Sequence, residues 1–141
     1  MNVKVVETAE EKQQAFAVRT TVFVDEQQVP ADEEIDAYDE EAIHLLGYDA
    51  GSPVAVGRVR FADSLGKLER ICVLKQQRGQ SLGTQMIQAM ETIIKNAGYT
   101  EAQLNAQTHA IHFYKRLGYH AISEEFMEAG IPHVAMSKQL S

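Results

Sequence analysis

The densest chemistry in this sequence lies in Leu74-Lys-Gln-Gln-Arg-Gly-Gln-Ser-Leu-Gly-Thr84, a segment between a strand-like run and an amphipathic one. Gly79 and Gly83 let the backbone take positive φ and let a ligand approach the main chain. Successive amide N–H groups at a strand-to-helix turn form a concavity for an anion, and the helix N-terminus reinforces it. Lys75 and Arg78 add positive charge beside it, and a pyrophosphate is the ligand this arrangement suits. A Walker-type phosphate loop would put Lys directly after Gly83, where Thr84 stands, and the G-x-G-x-x-G dinucleotide pattern is absent. Ordinary capping of a helix start explains the same glycines without a ligand.

Other reactive side chains carry weaker signals. His109 and His112 stand three apart on a predicted helix, but a third ligand at sensible spacing is missing, so no metal is expected. Cys72 is the one cysteine and has no histidine beside it, which favours a small buried residue over an acyl-enzyme nucleophile.

The elements that must position these groups follow from periodicity. Val3, Val5 and Val6 read as a first strand, and Thr8 with Glu11 as a capping box opening a helix over roughly 9–24. The acidic stretch with Pro30 is expected to break regular structure. Residues 43–48 and 53–62 read as a hairpin, with a third strand over 67–73. Leu82, Met86, Met90, Ile93, Ile94 and Ala97 mark one face of a helix closed by Gly98. A strand at 103–106, a helix at 109–117 and strands around Ile122 and Val134, with a turn near Gly130, complete the chain. The order β-α-β-β-β-α-β-α-β-β predicts an α/β (α+β) sandwich, a mixed and mostly antiparallel sheet with helices on both faces.

The 141 residues suit a single domain, 1–141, and 45% hydrophobic with 23% charged residues is globular composition. No apolar run approaches the roughly 20 residues of a membrane span, and the opening MNVKVVETAEEK turns charged at once, so neither membrane nor secretory signal is expected. A lone cysteine makes a reducing cytoplasm the natural setting. The net charge is −7, and no Lys or Arg occurs between Arg19 and Arg58. That balance argues against nucleic acid, which needs a basic stripe. It favours an amine-bearing acceptor for the acidic half, or else a solvated charged loop.

Two motifs together resemble a known family. Gln76-Gln-Arg-Gly79-Gln-Ser81 is similar to the Q/R-x-x-G-x-G/A pyrophosphate loop of the GCN5-related N-acetyltransferases (GNAT), with Ser81 where that family usually has Gly or Ala. Ala110-Ile-His-Phe-Tyr-Lys-Arg-Leu-Gly-Tyr119 looks like the family's A-x-x-F-Y-x-x-x-G-F segment, and VRTTVFVDEQQVP and EEFMEAGIPHVAMSKQL resemble the small bacterial YjcF and ElaA type. The resemblance covers essentially the whole chain.

It implies an N-acetyltransferase that moves acetyl from acetyl-CoA to a primary amine by direct transfer in a ternary complex, with no metal. The family's bulged strand matches Cys72, Val73 and Leu74, and the Val73 amide would bind the carbonyl oxygen as charge develops. The backbones of Arg78, Gly79, Gln80, Ser81, Leu82, Gly83 and Thr84 would hold the pyrophosphate. Tyr114 would protonate the departing thiolate, Asn105 would bond the pantetheine or order the sheet edge, and Lys115 or Arg116 would meet the 3′-phosphate. Strand alternation puts Glu69 on the face of Ile71 and Val73 as a candidate general base, with His109, His133 or a water relay as alternatives. Arg19, Phe23, Glu26, Glu34, Asp36 and Asp39 would shape the pocket of a small-molecule or peptide amine. A CoA-sensing module without turnover, or use of another acyl-CoA, stands beside this reading, and a homodimer is plausible from the exposed terminal strands.

Overall fold

The computed structural model describes residues 1–140. After β1 (Asn2–Val5), α1 (Ala9–Arg19) opens with the expected capping box: Glu11 N–H donates to Thr8 Oγ1 at 3.1 Å, and Thr8 N–H to Glu11 Oε1 at 3.2 Å. Past Arg19 the helix widens into a π-type segment over Thr20–Glu26. The acidic stretch is more ordered than expected, folding into α2 (Ala31–Glu34) and a 3-10 turn (Ala37–Glu40). Asp36 caps that turn by accepting from Tyr38 N–H at 3.0 Å, a local bond that no apolar periodicity announces.

β2 (Ile43–Asp49), β3 (Ser52–Ala62) and β4 (Leu65–Val73) form an antiparallel meander. Its two turns, Ala50-Gly51 and Asp63-Ser64, have positive φ at both positions, the geometry whose twist matches the flanking strands. α3 (Leu82–Asn96), β5 (Glu101–Gln107) and α4 (Ile111–Arg116) follow. The region around Ile122 holds β6 (His120–Ala121) and β7 (Phe126–Glu128), both paired with β8 (Ile131–Gln139), so the sheet has one strand more than the sequence predicts.

The strands run in the order β1-β2-β3-β4-β5-β8-β6, and every pairing is antiparallel except β4 with β5. That parallel contact is confined to Gly66–Leu68 against Ala102–Leu104, and beyond it the two strands separate so that the sheet opens as a V. α1 and the π-type segment after it cover one face through Ala15, Val18 and Val22 against Leu46, Val56 and Cys72. α3 covers the other through Met86, Met90 and Ile94 against Leu45, Val59 and Leu68. Each buried Val, Leu, Ile or Met among them contributes about 1.5–3 kcal/mol. α3 lies so close that a Cβ on Gly66 would stand 2.5 Å from Ile94 Cγ1.

One irregularity changes the chemistry of β4. Between the pairs Val56–Cys72 and Arg58–Glu69, β3 supplies only Gly57 where β4 supplies Arg70 and Ile71. The bulge therefore sits at Arg70–Ile71, with Arg70 at φ 56°, upstream of the expected position at Cys72–Leu74. An extra residue inverts the alternation of side chains beyond it. Glu69 consequently faces Arg58 on the α1 side, whereas Ile71 and Val73 pack against the α3-side cluster. The predicted common face for these three residues does not exist.

Candidate active site

Two clefts meet at the mouth of the V. One, of about 870 Å³, runs along the loop before α3 and is lined by Cys72, Val73, Arg78, Gly79, Ser81, Leu82, Gly83, Thr84 and Arg116. The other, of about 520 Å³, lies under the acidic segment and is lined by Phe23, Glu34, Asp36, Glu69, Asn105 and His133. Gln27, Ile71, Gln107, His109, Ala110, Tyr114 and Ile131 line both, and so mark the junction.

The loop is built as the sequence suggests. Gly79 and Ser81 hold φ of 84° and 63°, and the Ser81 side chain does not cap α3. The first helical bond there is Gln85 N–H to Ser81 O at 3.1 Å. The amides of Leu82, Gly83 and Thr84 thus have no helical acceptor and stand at the positive end of the helix dipole. A Cβ built on Gly79 would meet nothing within 4 Å, so the space over the loop is open. This donor set fits a pyrophosphate. Arg78 is already engaged, with Nη1 and Nη2 on Glu26 at 2.6 and 2.8 Å and Nε on Val73 O at 3.0 Å. Glu26, expected in the acceptor pocket, lies instead on this side, and its hydrogen bond to Arg78 holds its carboxyl below the usual range. Arg116 lines the cleft, while Gln80 and Lys115 are outside its lining.

The register fixes the direction of the Val73 amide. Leu74 N–H donates to Val54 O at 2.9 Å, and this pair continues the Ala55–Val73 register. Antiparallel alternation then turns the Val73 N–H away from β3, toward the gap from which β5 has withdrawn. Cys72 points the other way into the α1 core, and burial pushes its thiol up to about 12, which leaves no thiolate. Tyr114 reaches the junction from α4, with its ring edge-on to Phe113 and Tyr119 at 5.1 and 6.0 Å. Burial pushes its phenol up to about 12.

The acceptor side differs most from expectation. Arg19 is wholly buried, with Nε on Glu34 Oε2 at 2.9 Å and Nη1 on Asp39 Oδ1 at 2.7 Å. It supports the pocket from behind and touches nothing inside it. Arg58, equally buried, joins Asp36, Asp39 and Glu69. Arg70 holds Glu34 O at 2.9 Å and Asp36 Oδ2 at 3.2 Å. The carboxylates of Glu34, Asp36, Asp39 and Glu69 are therefore neutralised by guanidiniums from α1, β3 and β4, which buried ions require. Of the carboxylates that the sequence offered to an acceptor, Glu34, Asp36 and Asp39 are thus already paired.

Asn105 sits two residues before the end of β5, exposed, 3.4 Å from Glu128 Oε1, in the acceptor cleft and not the loop cleft. His133 Nδ1 donates to Ile131 O at 2.7 Å. At the junction Gln107 Nε2 donates to Gln27 Oε1 at 2.9 Å, and Gln107 Oε1 is 2.7 Å from His109 Nε2. The two glutamines escaped the sequence reading because the bond joins positions 80 residues apart, and no local spacing signals it.

An open, mostly antiparallel sheet with a splayed strand pair, a glycine-bearing helix start on one side and a tyrosine at the junction is the fold of the acyl-CoA N-acyltransferases. The chain belongs to the GCN5-related N-acetyltransferase family: the family model described as Acetyltransferase (GNAT) domain matches residues 7–140. It is 47% identical to the uncharacterized N-acetyltransferase YjcF of Bacillus subtilis, over 98% of this chain and 99% of that protein. It is 31% identical to the protein ElaA of Escherichia coli, over 87% of this chain and 84% of the relative. An acyl-CoA N-acyltransferase from Pseudomonas aeruginosa, 26% identical, superposes with TM-score 0.87 over 98% of this chain and 99% of its own. No helix among the described residues is long and apolar enough to cross a membrane.

Proposed function

We propose that this protein transfers an acetyl group from acetyl-CoA to the primary amine of an acceptor, directly, with both bound at once. The observation that carries the reading is the junction at the mouth of the V. There Tyr114 and His109 line both a cleft suited to a pyrophosphate and a second cleft of acceptor size, and Val73, next but one to the shared Ile71, lines the first.

The chain's groups divide the work. Leu82, Gly83 and Thr84 amides hold the pyrophosphate and fix the thioester at the gap. The Val73 N–H donates to the thioester carbonyl oxygen as negative charge builds, a contribution worth roughly 3–4 kcal/mol in comparable oxyanion sites. Tyr114 keeps its proton across the working pH range and gives it to the departing sulfur. His109 is the best-placed base. Its Nε2–H donates to Gln107 Oε1, an oxygen by virtue of the Gln107–Gln27 bond, which leaves Nδ1 with the lone pair. Glu69 Oε1 already accepts from Arg58 and Arg60, which favours a positioning role for that side chain.

Calorimetry with acetyl-CoA beside a thiol-release assay over a panel of amines tests this. Binding with release by one class of amine is expected. Binding without release from any amine would favour a CoA sensor, and no binding would end the proposal.

A further inference from the structure

Arg60 and Lys67 face each other directly across the β3–β4 ladder, on the side of the sheet that lines the acceptor cleft. Like charges opposite one another in an antiparallel pair are destabilising unless something offsets them. Arg60 is offset only through Nε, which donates to Glu69 Oε1 at 2.9 Å, and its guanidinium lies 3.9 Å over the Tyr38 ring. Both of its terminal nitrogens, and the Lys67 ammonium, have no hydrogen-bond or ion-pair partner among the described residues. Arg58 and Arg70, which line the same cleft, are spent on the carboxylates around them. The cleft therefore ends in an uncommitted cationic pair, flanked by Gln103, which lies level with Lys67 on β5.

We propose that Arg60 and Lys67 bind an anionic group, a carboxylate or phosphate, carried by the amine acceptor at the end remote from its reacting nitrogen. The proposal rests on the transferase reading above, and it names the substrate class of that site. Distance restricts the acceptor further. Ile71 marks the junction, and Lys67 lies four positions back along β4; at about 3.3 Å per strand residue the separation is roughly 10–13 Å. The carboxylate of a free α-amino acid cannot reach so far from its own amine. An extended peptide spans about 3.3–3.6 Å per residue, so an N-terminal amine followed by three or four residues and an acid group fits.

The probes are tetraglycine, its C-terminal amide, glycine, and a triglycyl-phosphoserine amide, each compared by kcat/KM for acetyl transfer and by calorimetric binding to the CoA-loaded protein. Tetraglycine is expected to exceed its amide at least tenfold in both measures, and glycine to resemble the amide. The phosphopeptide against tetraglycine tells phosphate from carboxylate. Lys67→Gln, whose side chain holds no structural bond, should bring the acid-to-amide ratio close to one, and Arg60→Gln should do the same. Equal binding of acid and amide, including no binding of either, overturns the proposal, as does an unchanged ratio in Lys67→Gln. A binding preference without thiol release would sustain the anion site and count against the transferase reading alone.

Discussion

At the scale of single residues, the proposed chemistry depends on where protons sit. Burial pushes the Tyr114 phenol up to about 12, so it remains a donor at every pH the enzyme would meet. Tyr114→Phe should lower kcat by about a hundredfold or more, the usual range for a general acid, with acetyl-CoA affinity unchanged by calorimetry. An unaltered kcat would remove Tyr114 from that role. His109→Ala should lower kcat/KM on a similar scale of about a hundredfold, with acetyl-CoA affinity unchanged by calorimetry. Gln107→Leu should lower kcat/KM less, because it leaves the imidazole but frees its tautomer. Tyr114 was visible in the sequence as part of a motif. The pairing of His109 with Gln107 was not, since it needs the end of β5 to turn into a 3-10 segment.

At the scale of elements, the site exists because β4 is held at one end and released at the other. Gly66, inside the short parallel contact with β5, accepts no side chain: its Cβ would press on the branched Ile94 at 2.5 Å. Gly66→Ala should cost about 1–3 kcal/mol through overpacking. Combined with Ile94→Ala it should cost less than the sum of the two single changes, as adjacent sites couple. Chemical denaturation of the four proteins in the cycle measures this; strict additivity would disprove the clash. The helix with its glycine start and the hairpins were legible from spacing. The bulge at Arg70–Ile71 was not, and it turned Glu69 from the face of Val73 to that of Arg58. A one-residue insertion leaves almost no trace in a hydrophobic pattern that is already short.

At the scale of the whole molecule, the buried ion network ties α1, the acidic segment, β3 and β4 into one body. Burial alone would raise the Asp39 carboxyl, but hydrogen bonds from Arg19, the Asp36 amide and Arg58 outweigh it and hold the group well below its ordinary value. Burial pushes His44 down, and its ring stays neutral with Nε2 against Asp39 O at 2.8 Å. Both groups bind protons more weakly folded than unfolded, so both favour the fold at neutral pH and lose that advantage as pH falls. The His44 contribution should begin to go below about pH 6.5, and that of Asp39 below about pH 4. A Tm series from pH 7 to 5 should therefore decline in the native protein and decline less in His44→Gln. Asp39→Asn should cost about 3–5 kcal/mol at neutral pH, because it strips two buried guanidiniums of a partner.

The sequence by itself determined the α/β class, most of the helix and strand order, the glycine-bearing loop before α3 and the family, because each rests on local spacing that a chain carries wherever it folds. Only the tertiary structure decided which charges are free. Glu34, Asp36 and Asp39 read along the chain as an acidic face for a cationic acceptor, yet Arg19 from α1 and Arg58 and Arg70 from β3 and β4 neutralise them. Electrostatic partnership depends on distance in space, and across a sheet that distance is unrelated to position in the chain.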